Sequence, residues 1–387
     1  MPGFSQAIRG LKGSSTVAFD SRAKELKRQG VDVIAMTAGE PDFQPPEHVL
    51  QAARDAIAQG KTKYTPSEGT VELREAIIAK FQRENGLTYG LDQVMVSTGG
   101  KQVLYNGFMS VLDPGDEVVI VAPYWVSYPA QARLAGGVPV VVHTSADQGF
   151  IPTLGAIEAA LSAKTKVIVL NSPSNPTGAV YPPELVEGIA RLAASRDVWL
   201  FADDLYEHLV YDGEFTPAAR FAPDNTLVIH GASKGYALTG WRIGFGAGPN
   251  DLIKAMNRLQ GQSTSGANAV AQHATVAALN ETVKTAEFQR MTRAAYRERR
   301  DVLVAGLNAL GLRTPMPQGA FYAMADVTTI EADEGRAAVR LLEEARVAAV
   351  PGTDFEAPGQ VRFSYATSLE NVREALERIA QMLGVTA

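Results

Sequence analysis

Hydrophobic residues in the middle of the chain form short continuous runs, separated by stretches with helical periodicity. The runs do not alternate with polar residues, which is typical of strands buried on both faces of a parallel sheet. Alternating strands and helices predict an open α/β sheet flanked by helices. Seven strands are predicted in this way, at Val94–Ser97, Glu117–Val121, Val138–His143, Lys166–Leu170, Val198–Ala202, Leu227–His230 and Ile243–Ala247.

The two ends of the chain have a different pattern. Residues 1–44 hold one amphipathic segment, and the last hundred residues hold a charged helix (Glu287–Asn308), two short strands (Phe321–Met324 and Val361–Ser364) and a helix from Ser368. A length of 387 residues suits two domains. We therefore predict a large α/β domain over 45–285 with a mostly parallel seven-stranded sheet. Residues 1–44, which include an N-terminal arm, and 286–387 are predicted to form a smaller α+β domain.

Composition narrows the chemistry. The chain has no cysteine, and its five histidines form no His-x-x-x-His pair, so we expect no metal site. The net charge of −6 argues against a nucleic-acid or anionic-membrane partner. No apolar segment precedes the first helix pattern, and no apolar run reaches the roughly 18 residues that span a bilayer, so we expect a cytoplasmic protein. Difficult chemistry must then use lysine, aspartate, tyrosine, serine or an organic cofactor.

Polar, reactive or aromatic residues follow five of the predicted strands, where ligands bind in open parallel sheets. These residues are Gly99-Gly100-Lys101, Tyr124-Trp125, the segment from Asn171 to Gly178, Asp203-Asp204-Leu205-Tyr206, and Ser233-Lys234. Pyridoxal phosphate fits this set. A lysine amine condenses with its aldehyde, a carboxylate holds the proton of its pyridine nitrogen, and a helix start with an arginine binds its phosphate. An aromatic side chain can stack on the ring.

Two motifs then identify a family resemblance. Residues 231–244 (GASKGYALTGWRIG) match the lysine-attachment signature of class I aminotransferases, and residues 171–178 match their Asn-Pro-Thr-Gly loop. Lys63-Tyr64 and Gly69 resemble their dimer-contact loop. The resemblance runs from Thr37 to Tyr365 and is greatest to the bacterial aspartate/prephenate aminotransferase subgroup. It implies fold type I and the cofactor pyridoxal 5'-phosphate.

The resemblance implies roles for the residues around the cofactor. Lys234 would attach the cofactor and move the substrate proton, Asp203 would pair with the pyridine nitrogen, and Tyr206 would donate to the phenolic oxygen. Tyr64 would reach the phosphate of a neighbouring subunit, which implies a homodimer with shared active sites. The remaining implied cofactor contacts are Gly100, Lys101, Trp125, Asn175, Ser233 and Arg242.

The resemblance also implies how the substrate is held. Arg362 would clamp the α-carboxylate, supported by Gly39 and Asn175, with Trp125 beside the substrate. Residues 262–265 (QSTS) offer no arginine for a distal carboxylate. The subgroup instead implies that this carboxylate is bound by Lys12, Ser15, Thr16 and Lys101.

The implied activity is transfer of an amino group between aspartate or glutamate and 2-oxoglutarate or oxaloacetate, with prephenate as a further substrate. An aminotransferase of aromatic or alanine specificity, a C–S lyase and a racemase remain open alternatives with the same cofactor. A dinucleotide-dependent oxidoreductase is disfavoured, because the glycine-rich run from Gly244 has Pro249 where the fingerprint needs its last glycine. A transcription regulator is disfavoured because too few residues precede Tyr64 for a DNA-binding domain.

Overall fold

The computed structural model describes residues 3–11, 13 and 15–385, without the side chains of Gln6, Ala7, Ser15 and Thr16. A π-helical turn at Phe81–Asn85 continues the fourth helix. The helices are α1 Gln6–Arg9, α2 Ser15–Arg28, α3 Glu47–Ala58, α4 Val71–Lys80, α5 Gly100–Val111, α6 Ser127–Leu134, α7 Leu154–Ala159, α8 Pro183–Ser195, α9 Asn250–Ser263, α10 Ala269–Asn280, α11 Thr282–Ala309, α12 Glu334–Glu343 and α13 Leu369–Leu383. The strands are β1 Ile34–Ala35, β2 Val94–Ser97, β3 Glu117–Ala122, β4 Val138–His143, β5 Thr165–Asn171, β6 Trp199–Asp203, β7 Thr226–Gly231, β8 Gly244–Ala247, β9 Tyr322–Asp326, β10 Val347–Ala348, β11 Val350–Pro351 and β12 Gln360–Ser364.

Seven strands form the large sheet in the order β2-β8-β7-β6-β5-β3-β4. Its strand pairs are parallel except those of β8, which runs antiparallel to β2 and β7. The predicted α/β class with a mostly parallel seven-stranded sheet is therefore confirmed. Strands β5, β6 and β7 each extend into polar or small residues that the hydrophobic runs did not include. Their backbone ladders continue there, and the last β5–β6 pair is Asn171 with Asp203.

Both faces of the large sheet are buried, which explains the continuous hydrophobic runs. On one face, Val119, Ile168 and Leu200 pack with α8. On the other face, the preceding or following residues of the same strands, such as Val118 and Phe201, pack with α5. Because successive side chains of a strand point to opposite faces, a strand covered on both sides needs apolar residues at every position.

Two smaller sheets lie outside the large one, and the two-stranded one joins the two ends of the chain. Strand β12 lies between β11 and β9 in an antiparallel sheet, and β1, near the N-terminus, pairs in parallel with β10. The long helix α11 begins at Thr282 and passes through residue 286, where we placed a domain boundary. The division into 45–285 and the two terminal segments stays a prediction. Within the described part of the chain, no helix is long and apolar enough to cross a membrane.

Candidate active site

The start of α5 forms a cationic cradle after β2. Gly99 has a φ of +86°, and a Cβ there would lie 2.4 Å from the Arg242 guanidinium, so only glycine fits. A Cβ on Gly244 would lie 2.1 Å from the carbonyl carbon of Gly99, because β8 passes directly beneath this turn. Arg242 donates to the Thr239 carbonyl at 2.7 Å and has no carboxylate partner among the described residues. A helix start beside an unpaired arginine suits a phosphate group.

Lys101 adds a second cation to this cradle. Its Nζ lies 4.9 Å from the centre of the Trp125 ring. Burial and, to a smaller extent, Arg242 lower the pKa of Lys101. Trp125 in turn meets Tyr128 edge-on at 5.4 Å. The cations therefore repel each other, and a bound anion would relieve the repulsion.

Lys234 is half-buried, and its Nζ donates to the carbonyl of Gly39. Burial lowers the pKa of Lys234 to about 8; Glu40 and Asp203 oppose this shift, whereas Arg362 and Arg242 add to it. A lysine amine with such a pKa is neutral in a useful fraction of molecules near neutral pH. Neutral amines act as nucleophiles and proton acceptors.

Asp203 is the last residue of β6, and its carboxylate is buried. It accepts hydrogen bonds from the Tyr128 hydroxyl at 2.6 Å and the Leu205 amide at 3.4 Å. Burial raises its pKa to about 6, although both hydrogen bonds act to lower it. No lysine, arginine or histidine forms an ion pair with it among the described residues. The carboxylate is therefore placed to receive a protonated nitrogen from a ligand.

Arg362, in β12, is only 2% exposed, yet none of its ion-pair or hydrogen-bond partners in the described chain is a carboxylate. It donates to Asn175 Oδ1 at 3.0 Å and to the Thr37 carbonyl at 3.1 Å, and its Nε has no partner. The guanidinium lies 4.4 Å from the centre of the Tyr322 ring. Burial lowers its pKa. A buried guanidinium without an anion is unfavourable, so the arrangement suits a ligand carboxylate.

Backbone carbonyls near the N-terminus accept from both cationic side chains of the site. The Gly39 carbonyl accepts from Lys234, and the Thr37 carbonyl accepts from Arg362. Asn175 Oδ1 also accepts from Arg362. The sequence reasoning missed Tyr128 and Tyr322, because no motif indicates which aromatic side chains turn toward Asp203 and Tyr206. Their only sequence signal is proximity to Trp125 and to the predicted strand at Phe321–Met324.

The predicted site residues fall into three groups. One group lies at the carboxyl ends of the large-sheet strands, in the loop after β1 and in the three-stranded sheet. Its members are Gly39, Gly100, Lys101, Trp125, Asn175, Asp203, Tyr206, Ser233, Lys234, Arg242 and Arg362. Tyr64 does not join this group and is fully exposed. Lys12 lies outside the described residues; Ser15 and Thr16 begin α2, but their side chains also lie outside the description.

One cluster bears on the prediction that no metal binds. Potential ligand atoms of Glu207, His208 and His230 lie within 4.8 Å of one another. Lys80 donates to Glu207, however, and the Gly231 amide donates to His230 Nδ1 at 2.7 Å. An ammonium group and a backbone donor already occupy these acceptors, which disfavours a cation there. A cleft of about 850 Å³ borders Glu207 and His208 and does not include Lys234, Asp203 or Arg362.

Comparison with known proteins identifies the family. The model of class I and II aminotransferases matches residues 31–379. The chain belongs to this family. An aspartate/prephenate aminotransferase of Thermus thermophilus is 54% identical over 384 residues, covering 99% of this chain and all of the relative. A probable aspartate/prephenate aminotransferase of Rhizobium leguminosarum is 46% identical, and 98% of each chain is covered.

Solved structures agree with this assignment. The aspartate aminotransferase of Thermus thermophilus with maleate has a TM-score of 0.97 at 54% identity, over 99% of this chain and all of that one. The aspartate aminotransferase of Rhizobium meliloti has a TM-score of 0.94 at 43% identity, over the whole of both chains. The chain is therefore an aminotransferase enzyme, and the resemblance found in its motifs is confirmed.

Proposed function

We propose that this aminotransferase uses pyridoxal 5'-phosphate to move an amino group between aspartate or glutamate and 2-oxoglutarate or oxaloacetate, and that it also accepts prephenate. The observation that carries the proposal is the buried Arg362 guanidinium without a carboxylate partner, in one site with the Lys234 amine of lowered pKa. An amino acid substrate has a carboxylate that Arg362 can bind, and the Lys234 amine can exchange a proton with the same substrate.

The residues fit the proposed cofactor at each of its polar groups. Its phosphate suits the turn at Gly99, where a Cβ would meet Arg242, together with the α5 residues Gly100 and Lys101 and with Ser233. Its pyridine nitrogen suits the buried Asp203 carboxylate. Tyr206 and Asn175 would donate to its phenolic oxygen, and Trp125 would lie against its ring. When bound, the cofactor supplies an electron-withdrawing ring that stabilises negative charge at the substrate's α-carbon.

Within the reaction, Lys234 would take the proton from the substrate α-carbon and deliver it to C4′ of the cofactor. Its lowered pKa keeps enough of the amine neutral to accept a proton. Tyr128 holds the Asp203 carboxylate in one orientation through its hydroxyl hydrogen bond. Arg362 would fix the α-carboxylate and so orient the α-hydrogen toward Lys234.

The second carboxylate of the substrate needs a further cation. Lys101 lies beside Trp125 and has no carboxylate partner in the part of the chain that the structure describes. We assign it this role together with Lys12, Ser15 and Thr16. The Thermus structure contains maleate, a dicarboxylate, and the two relatives named above carry aspartate and prephenate in their names. These names favour a dicarboxylic substrate over the aromatic, alanine and C–S lyase alternatives.

We also propose a homodimer with shared active sites, located in the cytoplasm, with no nucleic-acid or membrane partner. Tyr64 is a large aromatic side chain that is 100% exposed in the single chain. An aromatic side chain with a polar hydroxyl is a common anchor at protein interfaces. In the proposed dimer, Tyr64 would donate to the phosphate bound by the partner subunit.

The test is a panel of amino donors with 2-oxoglutarate, oxaloacetate and prephenate as acceptors. Aspartate and glutamate are expected to give the highest kcat/KM, and Lys234→Ala is expected to abolish turnover. The purified protein is expected to be yellow. A colourless protein, or normal turnover by Lys234→Ala, would disprove the proposal. Release of ammonia and pyruvate without an acceptor would favour the lyase instead.

A further inference from the structure

A buried group of charged side chains lies beside β6 and β7. We call it the Glu207 cluster; its members are Lys80, Glu84, Asn85, Glu207, His208 and His230. Lys80 and His230 have no exposed surface, and Glu207 lies at the centre. The Glu207 carboxylate accepts from Lys80 Nζ and from Asn85 Nδ2 at 2.7 Å, and it lies 2.9 Å from His230 Nε2 and 3.2 Å from His208 Nε2.

Stability alone does not explain this cluster. Burying an ion pair costs several kcal/mol per ion, and apolar residues of similar size are often equally stable. Burial acts to raise the pKa of Glu207, but Lys80, His230 and His208 hold it well below its usual range. The cluster therefore keeps a carboxylate ionised inside the protein.

The Gly231 amide fixes the tautomer of His230. The Gly231 amide donates to His230 Nδ1 at 2.7 Å, so this nitrogen carries no proton. Burial, and the charge of Lys80, lower the pKa of His230 to about 4, so the ring is neutral. Its proton is then on Nε2, which lies 2.9 Å from Glu207 Oε1 without forming a hydrogen bond with it. The ring also stacks on Phe245 of β8 at 5.0 Å. The buried ring, packed on Phe245, therefore presents Nδ1 to the Gly231 amide.

The imidazole of His208 approaches the loop after β7 at a second point. Gly231 ends β7 and Lys234 follows three residues later. The His208 ring lies so close to Gly235 that a Cβ there would be 2.4 Å from Nδ1. His208 also lies 3.0 Å from Glu84 Oε2. The loop from Gly231 to Gly235 is thus bordered at both ends by imidazoles that meet at Glu207.

The geometry points to His230 as a positioning residue for the loop that carries Lys234. It does not touch the groups assigned to cofactor or substrate. It acts through the Gly231 amide, which sets where the chain leaves β7 and hence where the Lys234 amine meets the Gly39 carbonyl. The part of this inference that concerns chemistry rests on the proposed role of Lys234.

The groups that face Glu207 from the surrounding elements are Lys80 of α4, Glu84 and Asn85 of the π-helical turn, and Asp204 and His208 after β6. Asp204 is buried, and burial with the charges of Glu207 and Asp203 raises its pKa well above its usual range. Burial acts to raise the pKa of Glu84, but the hydrogen bond with His208 and the charge of Lys80 lower it to about 2, so Lys80 faces two ionised carboxylates.

Two substitutions of His230 separate its two contacts. His230→Asn keeps an acceptor at the position of Nδ1 but is too short to reach Glu207, whereas His230→Gln keeps reach to Glu207 but loses that acceptor. Because His230 is neutral, neither substitution leaves a charge unpaired. Asp212→Asn, which removes a partner of the buried Arg300 elsewhere in the chain, serves as the matched control.

The first measurement is amide hydrogen exchange of the full chain without added cofactor. In His230→Gln, exchange at Gly231 and the next residues is expected to be about tenfold faster, since one buried amide loses its partner. His230→Asn is expected to stay near the wild-type rate, as is Asp212→Asn. Equal rates in His230→Gln and the wild type, or equal acceleration by both His230 variants, would overturn the inference.

The second measurement is a pH titration of the visible absorbance of the cofactor-loaded protein. In His230→Gln, the pH midpoint of the absorbance change is expected to move by about half a pH unit or more, because the Lys234 amine is displaced. The two control variants are expected to keep the wild-type midpoint; a midpoint unmoved in His230→Gln would overturn the inference. If the wild type binds no cofactor, the proposed function fails, while the exchange measurement still decides the role of His230.

Discussion

The hydroxyl groups of Tyr206 and Tyr322 lie 3.0 Å apart, and both side chains are buried. Tyr206 follows β6 of the large sheet, whereas Tyr322 begins β9 of the three-stranded sheet. The Tyr322 ring also lies under the Arg362 guanidinium at 4.4 Å. One side chain therefore joins the tyrosine proposed to contact the cofactor to the arginine proposed to bind the substrate.

Removing the Tyr322 hydroxyl tests this link. Tyr322→Phe keeps the ring under Arg362 but leaves the Tyr206 hydroxyl with one partner fewer. Because one hydrogen bond contributes about 0.5–1.5 kcal/mol, kcat/KM is expected to fall by about two- to tenfold. Tyr365→Phe is the control, since the Tyr365 hydroxyl lies 3.5 Å from the Gly319 carbonyl, outside the site. Equal activity of both variants would show that the link has no effect on the reaction.

Arg362 is expected to matter for binding and not for folding. Arg362→Leu removes a buried charge that has no carboxylate partner, so the midpoint of thermal unfolding without substrate is expected to stay equal or to rise. The kcat/KM for aspartate is expected to fall by about two to three orders of magnitude, as for loss of a buried charge-assisted contact. Arg362→Lys keeps the charge without the two-pronged geometry and is expected to recover only part of the activity. Strong destabilisation by Arg362→Leu would contradict this assignment.

The pKa of Lys234 predicts its reactivity. The amine is protonated below pH 8 and neutral above it, so labelling of Lys234 by an acylating reagent should rise with a midpoint near pH 8. In the unfolded chain the same lysine should show the ordinary midpoint of about 10.4. Mass spectrometry of the labelled peptide, on protein without cofactor, measures both. A midpoint that does not change on unfolding would refute the pKa shift.

The raised pKa of Asp203 predicts a pH-dependent stability. The folded carboxyl has a pKa of about 6, against about 3.9 when unfolded, so the folded state holds the proton more tightly. The free energy of unfolding therefore falls between pH 4 and 6 and stays lower above pH 6. Without cofactor at pH 7, Asp203→Asn is expected to be more stable than the wild type by about 2–3 kcal/mol.

Urea unfolding at several pH values measures this difference. Tyr128→Phe provides a control, because it removes the donor that lowers the pKa of Asp203 and is expected to enlarge the loss of stability above pH 6. Cofactor should reverse the order, since its protonated nitrogen pairs with the carboxylate. If Asp203→Asn is less stable than the wild type at pH 7 without cofactor, the buried ionised carboxylate does not destabilise the folded protein, and the prediction is wrong.

The proposed sharing of active sites between two subunits can be tested with hybrid dimers. In a dimer of one Lys234→Ala subunit and one Tyr64→Ala subunit, one site keeps both native residues and the other keeps neither. The hybrid is expected to have about half the wild-type activity per dimer, more than either parent variant. Activity equal to the average of the two parents would show that Tyr64 acts within its own subunit or not at all.

Much of the fold followed from the sequence. Buried strands read as continuous apolar runs, and the seven runs predicted between Val94 and Ala247 are the seven strands of the large sheet. The strand ends did not follow from the apolar runs. Strands β5 and β6 continue to Asn171 and Asp203, where the backbones still pair although the side chains are polar. The antiparallel direction of β8 has no sequence signal of its own.

The sequence by itself determined the family and the residue types of the site, because the chemistry of a lysine, a carboxylate and two arginines needs those residues in recognisable motifs. Only the tertiary structure showed which groups lack partners. Three examples are the burial of Arg362 with no carboxylate partner among the described residues, the hydrogen bond from Tyr128 to Asp203, and the hydrogen bond from Lys80 to Glu207. Each depends on contacts between residues far apart in the chain. Burial sets the pKa of such groups, and burial is a property of the folded protein as a whole.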